Sequence, residues 1–232
     1  MKHFLNNCLK IRLPALSQAC LLCGAASKHT AICDACDAEQ PRLPAARCAV
    51  CALPVPGGGT CGACLDHMPH FDRVTATFVY GFPLDALIHA FKYGNNLAIA
   101  GALGAALAKS VAGECPDCIV PMPLSLERLR SRGFNQALEI ARCVSSFTGI
   151  PIAAAACRKV MDTRPQAALP WKERARNVRG AYVCDADFEQ ARVAVVDDVM
   201  TTGATLNELA RILKRAGAAE VRGWMVARAL KQ

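Results

Sequence analysis

The 232-residue sequence predicts an α/β fold built on a mainly parallel sheet, preceded by a small cysteine-rich module. Three observations carry that prediction. Residues 193–196 form a continuous apolar run ending at two acids, as a strand buried on both faces requires. Behind it, Leu206, Leu209, Ile212 and Leu213 recur at helical spacing. Eight cysteines between positions 20 and 64 fall in four Cys-x2-Cys pairs, a spacing at which two thiolates grip one ion. The expected division is a cysteine module over residues 1–72 and an α/β domain over 73–232.

Composition narrows the function classes. The net charge of +8 favours anionic ligands, without choosing between phosphates and nucleic acid. No run of about 18 apolar residues occurs, and the opening residues are too interrupted by polar side chains for a signal peptide. The expectation is a cytoplasmic protein without membrane insertion. In a reducing compartment, fourteen cysteines point to metal ligation rather than disulfides.

The first segment holds Phe4, Leu5, Leu9, Ile11, Leu13 and Leu16, an apolar stripe suited to a short helix broken at Pro14. The cysteines follow as Cys20, Cys23, Cys33 and Cys36, then Cys48, Cys51, Cys61 and Cys64. Each set reads Cys-x2-Cys-x9-Cys-x2-Cys, so the module is an internal repeat. Four thiolates close a tetrahedral shell, and two structural Zn2+ ions are expected. Sequential pairing follows from the repeat; a cross-brace is the alternative for pairing and an iron–sulfur centre the alternative metal. Prolines and glycines leave the segment little core, so metal must supply much of its folding free energy. Lys28, Arg42 and Arg47 are the only basic residues between Cys20 and Cys64, which favours a scaffold or protein contact over a DNA grip. Cys115 and Cys118 precede a strand rather than opening a helix, against a redox motif. Cys8, Cys143, Cys157 and Cys184 read as small buried hydrophobes.

The α/β elements come next. Residues 73–80 alternate and are rich in β-branched and aromatic types, hence a strand. Leu84, Leu87, Ile88 and Phe91 mark a helix stopping at Gly94, and a second helix runs from about 97 to 111. Residues 117–123 form the next strand, followed by a loop carrying Arg128, Arg130 and Arg132 at alternate positions. From 124 to 180 eleven basic residues face four acidic ones, so most of the net charge lies there. Residues 157–182 are polar, arginine-rich and too long for a simple connection, which suits a lid. The last strand spans 220–229.

Chemistry concentrates after the apolar run. Asp197 and Asp198 lie at a strand's C-terminal end, where open α/β sheets bind ligands. Thr201, Thr202, Gly203, Ala204 and Thr205 then enter a helix, whose unpaired N–H groups suit a phosphate. Two acids beside a phosphate repel it unless they face hydroxyls, as on a phosphorylated sugar. The arginine loop leaves another strand's C-terminal end, and its forks match pyrophosphate oxygens.

This loop resembles the signature of type I phosphoribosyltransferases, which grip phosphoribosyl pyrophosphate (PRPP). With Lys92-Tyr-Gly, Pro121-x-Pro, Arg132-Gly-Phe-Asn-Gln136, Arg158 with Thr163 and Gln166, and Arg174 with Asn177, the chain resembles the ComF/GntX-like family, double zinc ribbon included. That resemblance implies a type I phosphoribosyltransferase-like twisted, mainly parallel sheet flanked by helices. It implies that Asp197 and Asp198 take the ribose hydroxyls and that residues 201–205 cradle the 5′-phosphate. Lys92, Arg128, Arg130 and Arg132 then meet the pyrophosphate with Mg2+, while Gln166, Arg174 and Asn177 contact the ligand from the long loop. It further implies a role in natural competence, handling incoming single-stranded DNA beside a helicase-like partner. PRPP binding without transfer, transfer to an unidentified acceptor, and direct single-stranded DNA binding stay open. The last is weakened because Trp171 is the basic span's only tryptophan.

Overall fold

A computed structural model describes residues 18–27, 31–94, 96–162 and 177–230. The expected N-terminal helix, Cys8, Thr163, Gln166, Trp171 and Arg174 lie outside them. The cysteine segment is built twice on one plan. In the first copy, β1 (Gln18–Ala19) and β2 (Ala26–Ser27) pair antiparallel, and Cys33 opens the short helix α1 (Asp34–Ala38). In the second, Cys61 opens α2 (Gly62–Asp66) with the same extended backbone, ψ 155° against 160° at Cys33. The repeat in sequence is thus a repeat in structure.

Next come β3 (Arg73–Val79), α3 (Leu84–Tyr93), α4 (Ala98–Ser110), β4 (Cys118–Pro121), α5 (Leu126–Arg132), α6 (Gln136–Thr148), β5 (Cys157–Lys159), β6 (Tyr182–Cys184), β7 (Arg192–Met200), α7 (Ala204–Arg215) and β8 (Glu220–Arg228). The central sheet has the order β3-β8-β7-β4, with every pairing parallel. Val193 to Val196 in β7 have no solvent exposure. Alternation sends Val193 and Val195 into the core beneath α7, and Ala194 and Val196 into the core shared with α3, α4 and α6. This two-sided burial is why the sequence there is apolar without a break.

The helices follow their patterns. Leu84, Leu87, Ile88 and Phe91 of α3 are all buried, at the i, i+3, i+4, i+7 spacing of one face. Helix α6 begins at Asn135, whose Oδ1 accepts the Ala137 N–H at 3.0 Å. One expectation needs correction. The segment carrying Arg128, Arg130 and Arg132 is not a loop but the helix α5, ended by Gly133 with φ 78°. Positions i and i+4 share a helix face and i+2 does not, so Arg130 parts company with its neighbours.

The long basic stretch is no open loop at its base, where β5 and β6 pair antiparallel with Cys157 opposite Cys184. Residues 41–43 lie along the outer edge of β3, with Val79 N–H donating to Pro41 O at 2.7 Å and Leu43 N–H to Thr77 O. The second cysteine set is built into the main core. Cys48, Cys51, Ala52 and Cys64 belong to the same buried cluster as Val193, Leu206, Leu209 and Met225. The first set forms a separate small cluster, in which Cys20 and Ile32 pack on Leu87 of α3.

Candidate phosphate and tetracysteine sites

β4 and β7 are neighbours, with Pro121 opposite Val196, so the chain segments leaving their C-terminal ends flank one crevice. A cavity of about 310 Å³ lies there. Asp197, Asp198 and the whole turn Thr201–Thr205 line it together with Lys92, Arg128 and Arg132. Sequence positions more than one hundred apart therefore converge. Arg130 stands exposed on α5 and is not among the lining residues; nor is Asn177, although its neighbour Val178 is.

The acids complete the last turns of β7 rather than following it. Asp198 is buried and receives Lys92 Nζ at 2.7 Å. Burial alone would lower the Lys92 ammonium, but the Asp198 carboxylate holds it above its ordinary value. Asp197 has the opposite fate: burial first, and the charge of Asp198 second, push its carboxyl up to about 7.

The turn is tightly built. Gly203 has φ 82°, and a Cβ there would lie 2.6 Å from Met200 Cε. Glycine is needed both for the left-handed conformation and for the close packing. Thr202 Oγ1 accepts the Ala204 N–H at 3.1 Å, which holds the first turn of α7 in place. Across the cavity, Arg132 Nη1 donates to Gln136 Oε1 at 3.1 Å, and its guanidinium lies 5.4 Å from the Tyr93 ring centre. Gln136 is 3% exposed, and its Nε2 has no hydrogen-bond partner among the described residues. A buried amide donor at a cavity wall is a vacant valence for a ligand oxygen.

Sequence reasoning missed Lys159. Strand β5 alternates, so Arg158 turns outward to Asp185 at 2.8 Å while Lys159 lines the cavity. Burial first, and the nearby Arg128 second, lower Lys159 to about 8. The signal was the antiparallel pairing with β6, which fixes the faces but which a three-residue strand barely announces. Tyr80 also lines the cavity and was equally unmarked, whereas Tyr93, which lines it too, stands in the quoted Lys92-Tyr-Gly motif.

The cysteines gather as two groups, Cys20, Cys23, Cys33 and Cys36, and Cys48, Cys51, Cys61 and Cys64, each with ligand atoms within 4.8 Å of one another. The pairing is sequential. The donor set fits a tetrahedral thiolate-loving cation such as Zn2+. Backbone N–H groups prepare the thiolates: Cys33 N–H donates to Cys20 Sγ at 3.3 Å, and Cys61 N–H to Cys48 Sγ at 3.3 Å. Burial pushes the Cys20 thiol up, but these and neighbouring N–H bonds bring it to about 6. Cys36 is pushed up to about 12, chiefly by its bond to Cys23, a crowding that a divalent cation would relieve. The Asp197 and Asp198 oxygens are hard donors of the type Mg2+ accepts.

The chain matches a double zinc ribbon domain over residues 9–65 and a phosphoribosyl transferase domain over residues 180–231. It is 35% identical over 179 residues to competence protein F of Haemophilus influenzae, covering 73% of this chain and 78% of that one. It is 32% identical to the DNA utilization protein YhgH of Salmonella typhimurium, covering 95% of this chain and 100% of that one. Among solved structures, the purine phosphoribosyltransferase of Pyrococcus horikoshii Ot3 aligns with 53% of this chain and 67% of its own, at 25% identity and a TM-score of 0.33. With a double zinc ribbon ahead of a parallel sheet that brings Asp197, Asp198 and Thr201–Thr205 to one crevice, and with relatives aligned over nearly its whole length, this chain belongs to the ComF/GntX-like family of phosphoribosyltransferase-related competence proteins.

Proposed function

We propose that the protein binds PRPP with Mg2+ in the crevice between β4 and β7, and that it serves the handling of DNA taken up during competence. The observation that carries this reading is the convergence of the acid pair, the threonine turn, Lys92, Arg128 and Arg132 on the lining of a single cavity. PRPP needs both halves. Its 5′-phosphate suits the N–H groups and hydroxyls of Thr201–Thr205, its ribose diol suits Asp197 and Asp198, and its pyrophosphate suits the cations opposite. Gln136 Nε2 supplies a further donor. Mg2+, when bound, neutralises pyrophosphate charge and would draw on Asp197 and Asp198 with ligand oxygens. Arg130, Gln166, Arg174 and Asn177 remain proposed contacts from the family resemblance alone.

PRPP affinity measured by calorimetry tests the site. The Asp197→Ala, Asp198→Ala double variant should lose at least about tenfold, since one charge-assisted hydrogen bond is worth about 1.5–3 kcal/mol. Equal affinity would sink the assignment. Affinity should also rise as pH passes through about 7, because the ionised Asp197 accepts from a diol more strongly than the neutral acid does. For folding the sign is reversed: a carboxyl raised in the native state contributes stability that is full below the ordinary carboxylate range and is lost as pH rises through about 7. Asp197→Asn should remove both dependences.

The near-neutral Asp197 favours a second reading, transfer of the phosphoribosyl group to an acceptor. A carboxyl titrating near working pH can exchange a proton with an incoming nucleophile. Pyrophosphate release from PRPP in the presence of candidate acceptors separates transfer from binding.

The biological setting is proposed on the relatives' names, competence protein F and DNA utilization protein. Two tetrathiolate sites suit the reducing cytoplasm. No helix among the described residues is long and apolar enough to cross a membrane. We assign the ribbon module to residues 1–72 and the ligand-binding domain to 73–232, with the module as a docking surface for a helicase-like partner. Direct single-stranded DNA binding by the basic face is the competing proposal, and a steep loss of binding with salt would identify it.

A further inference from the structure

Arg228 ends β8 with 1% of its surface exposed. Among the described residues no carboxylate forms an ion pair with it. Its Nε donates to Cys51 O at 2.8 Å, and its Nη1 donates to Met200 O at 3.0 Å, to Thr201 O and to Ala229 O at 2.8 Å. One guanidinium therefore ties the second cysteine set to the first residues of the phosphate turn. Arginine's rigid fork fixes the relative positions of the groups it binds.

Burial lowers the Arg228 guanidinium, and the sulfurs of Cys51, Cys61 and Cys64 beside it act in the opposite direction. Four thiolates around one divalent cation carry a net negative charge, which suits a buried cation that lacks a carboxylate. The turn that supplies the Cys51 carbonyl is set by Ala52, which has φ 59°, a conformation a non-glycine residue keeps only when its surroundings impose it. Closure of the ribbon around a metal is such an imposition. A second strut runs beside the first. The Phe71 ring lies against the Gly203 position, and His70 N–H donates to Asn207 Oδ1 at 2.6 Å, on the first turns of α7. Among the described residues the first cysteine set shows no such strut; Cys20 and Ile32 pack on Leu87 of α3 instead.

We propose that Arg228 is a positioning residue through which metal in the Cys48, Cys51, Cys61 and Cys64 site fixes the Thr201–Thr205 turn, so that metal binding there and anion binding in the crevice reinforce each other. The coupling to PRPP rests on the reading of the crevice given above; the coupling of metal to turn does not. Linkage makes the effect reciprocal. If metal raises affinity for PRPP by some factor, PRPP holds the metal tighter by the same factor.

The test uses the full chain carrying Cys33→Ser, which keeps zinc only in the second ribbon. Zinc is withdrawn with a chelator while amide exchange is followed at residues 201–207. Exchange there should speed by about tenfold, a typical coupling between sites, in step with zinc loss. In the Arg228→Met variant exchange should already be fast with zinc bound, and withdrawal should add nothing. Unchanged exchange at 201–207 after zinc loss overturns the proposal. In a second arm, PRPP with Mg2+ should slow zinc release about tenfold, and this effect should vanish in Arg228→Met although its metal content is unaltered. If PRPP binds yet leaves zinc release unchanged, the proposal fails. If the zinc-loaded chain binds no PRPP, the ligand reading fails, and the exchange arm alone decides the coupling. Should Arg228→Met not fold, Arg228→Lys keeps the cation but loses the fork, and should show the same uncoupling more weakly.

Discussion

The two ribbons share a cysteine spacing, a backbone entry into their short helices and a sequential ligand set, yet they occupy different mechanical positions. The first is a satellite: among the described residues Cys20 and Ile32 form a small cluster of their own with Leu87, apart from the main core. The second is sunk into the core beneath α7, and Arg228 and Phe71 connect it to the Thr201–Thr205 turn. One repeat unit has thus been used once as an appendage and once as a structural wall. Identical local chemistry does not imply identical consequence, because the cost of losing a metal is set by what leans on it.

The largest expected contrast comes from removing one ligand from each ribbon. Cys61→Ser should lower the unfolding temperature of the whole chain without unfolding it at room temperature, because the ribbon it opens belongs to the main core. Cys33→Ser should cost metal and local order only. Thermal unfolding with parallel metal analysis reads both, and equal losses would erase the asymmetry. An intermediate contrast comes from the seats of the ribbons. Phe71→Ala and Leu87→Ala should each cost roughly 3 kcal/mol by denaturant unfolding, as large buried side chains do. Only Phe71→Ala should also weaken PRPP binding. The smallest effect belongs to the connection between ribbons. Arg42 pairs with Asp37 at 2.9 Å, both about half exposed, and lies over the Phe78 ring. Arg42→Ala should cost about 1 kcal/mol or less and leave PRPP affinity unchanged. A larger effect on affinity would mean that the first ribbon reaches the site after all.

Much of this architecture was legible in the order of residues. A strand buried on both faces writes itself as an unbroken apolar run, so β7 and its turn stood out, and the cysteine spacing announced both metal sites. The arginines of α5 were harder. Charged residues at alternate positions carry no apolar face, and only the helix geometry separates Arg128 and Arg132 from Arg130. Lys159 was hidden by a three-residue strand, where adjacent Arg158 looked equally eligible. Nothing in the repeat distinguished the embedded ribbon from the peripheral one, because embedding depends on β8 and α7, far away in sequence. Arg228 was least legible of all. At the end of a strand an arginine reads as a solvated edge, and its burial follows from three carbonyls supplied by distant segments.

The bond between Arg228 and Cys51 also joins positions 177 apart. Closing so long a loop carries a large entropic cost and comes late in folding. The Thr201–Thr205 turn gains its bonds to Arg228 only once β8 has paired with β7. A chain cut within α7 would keep every cysteine, both acids and the threonine turn, and still lack a rigid crevice.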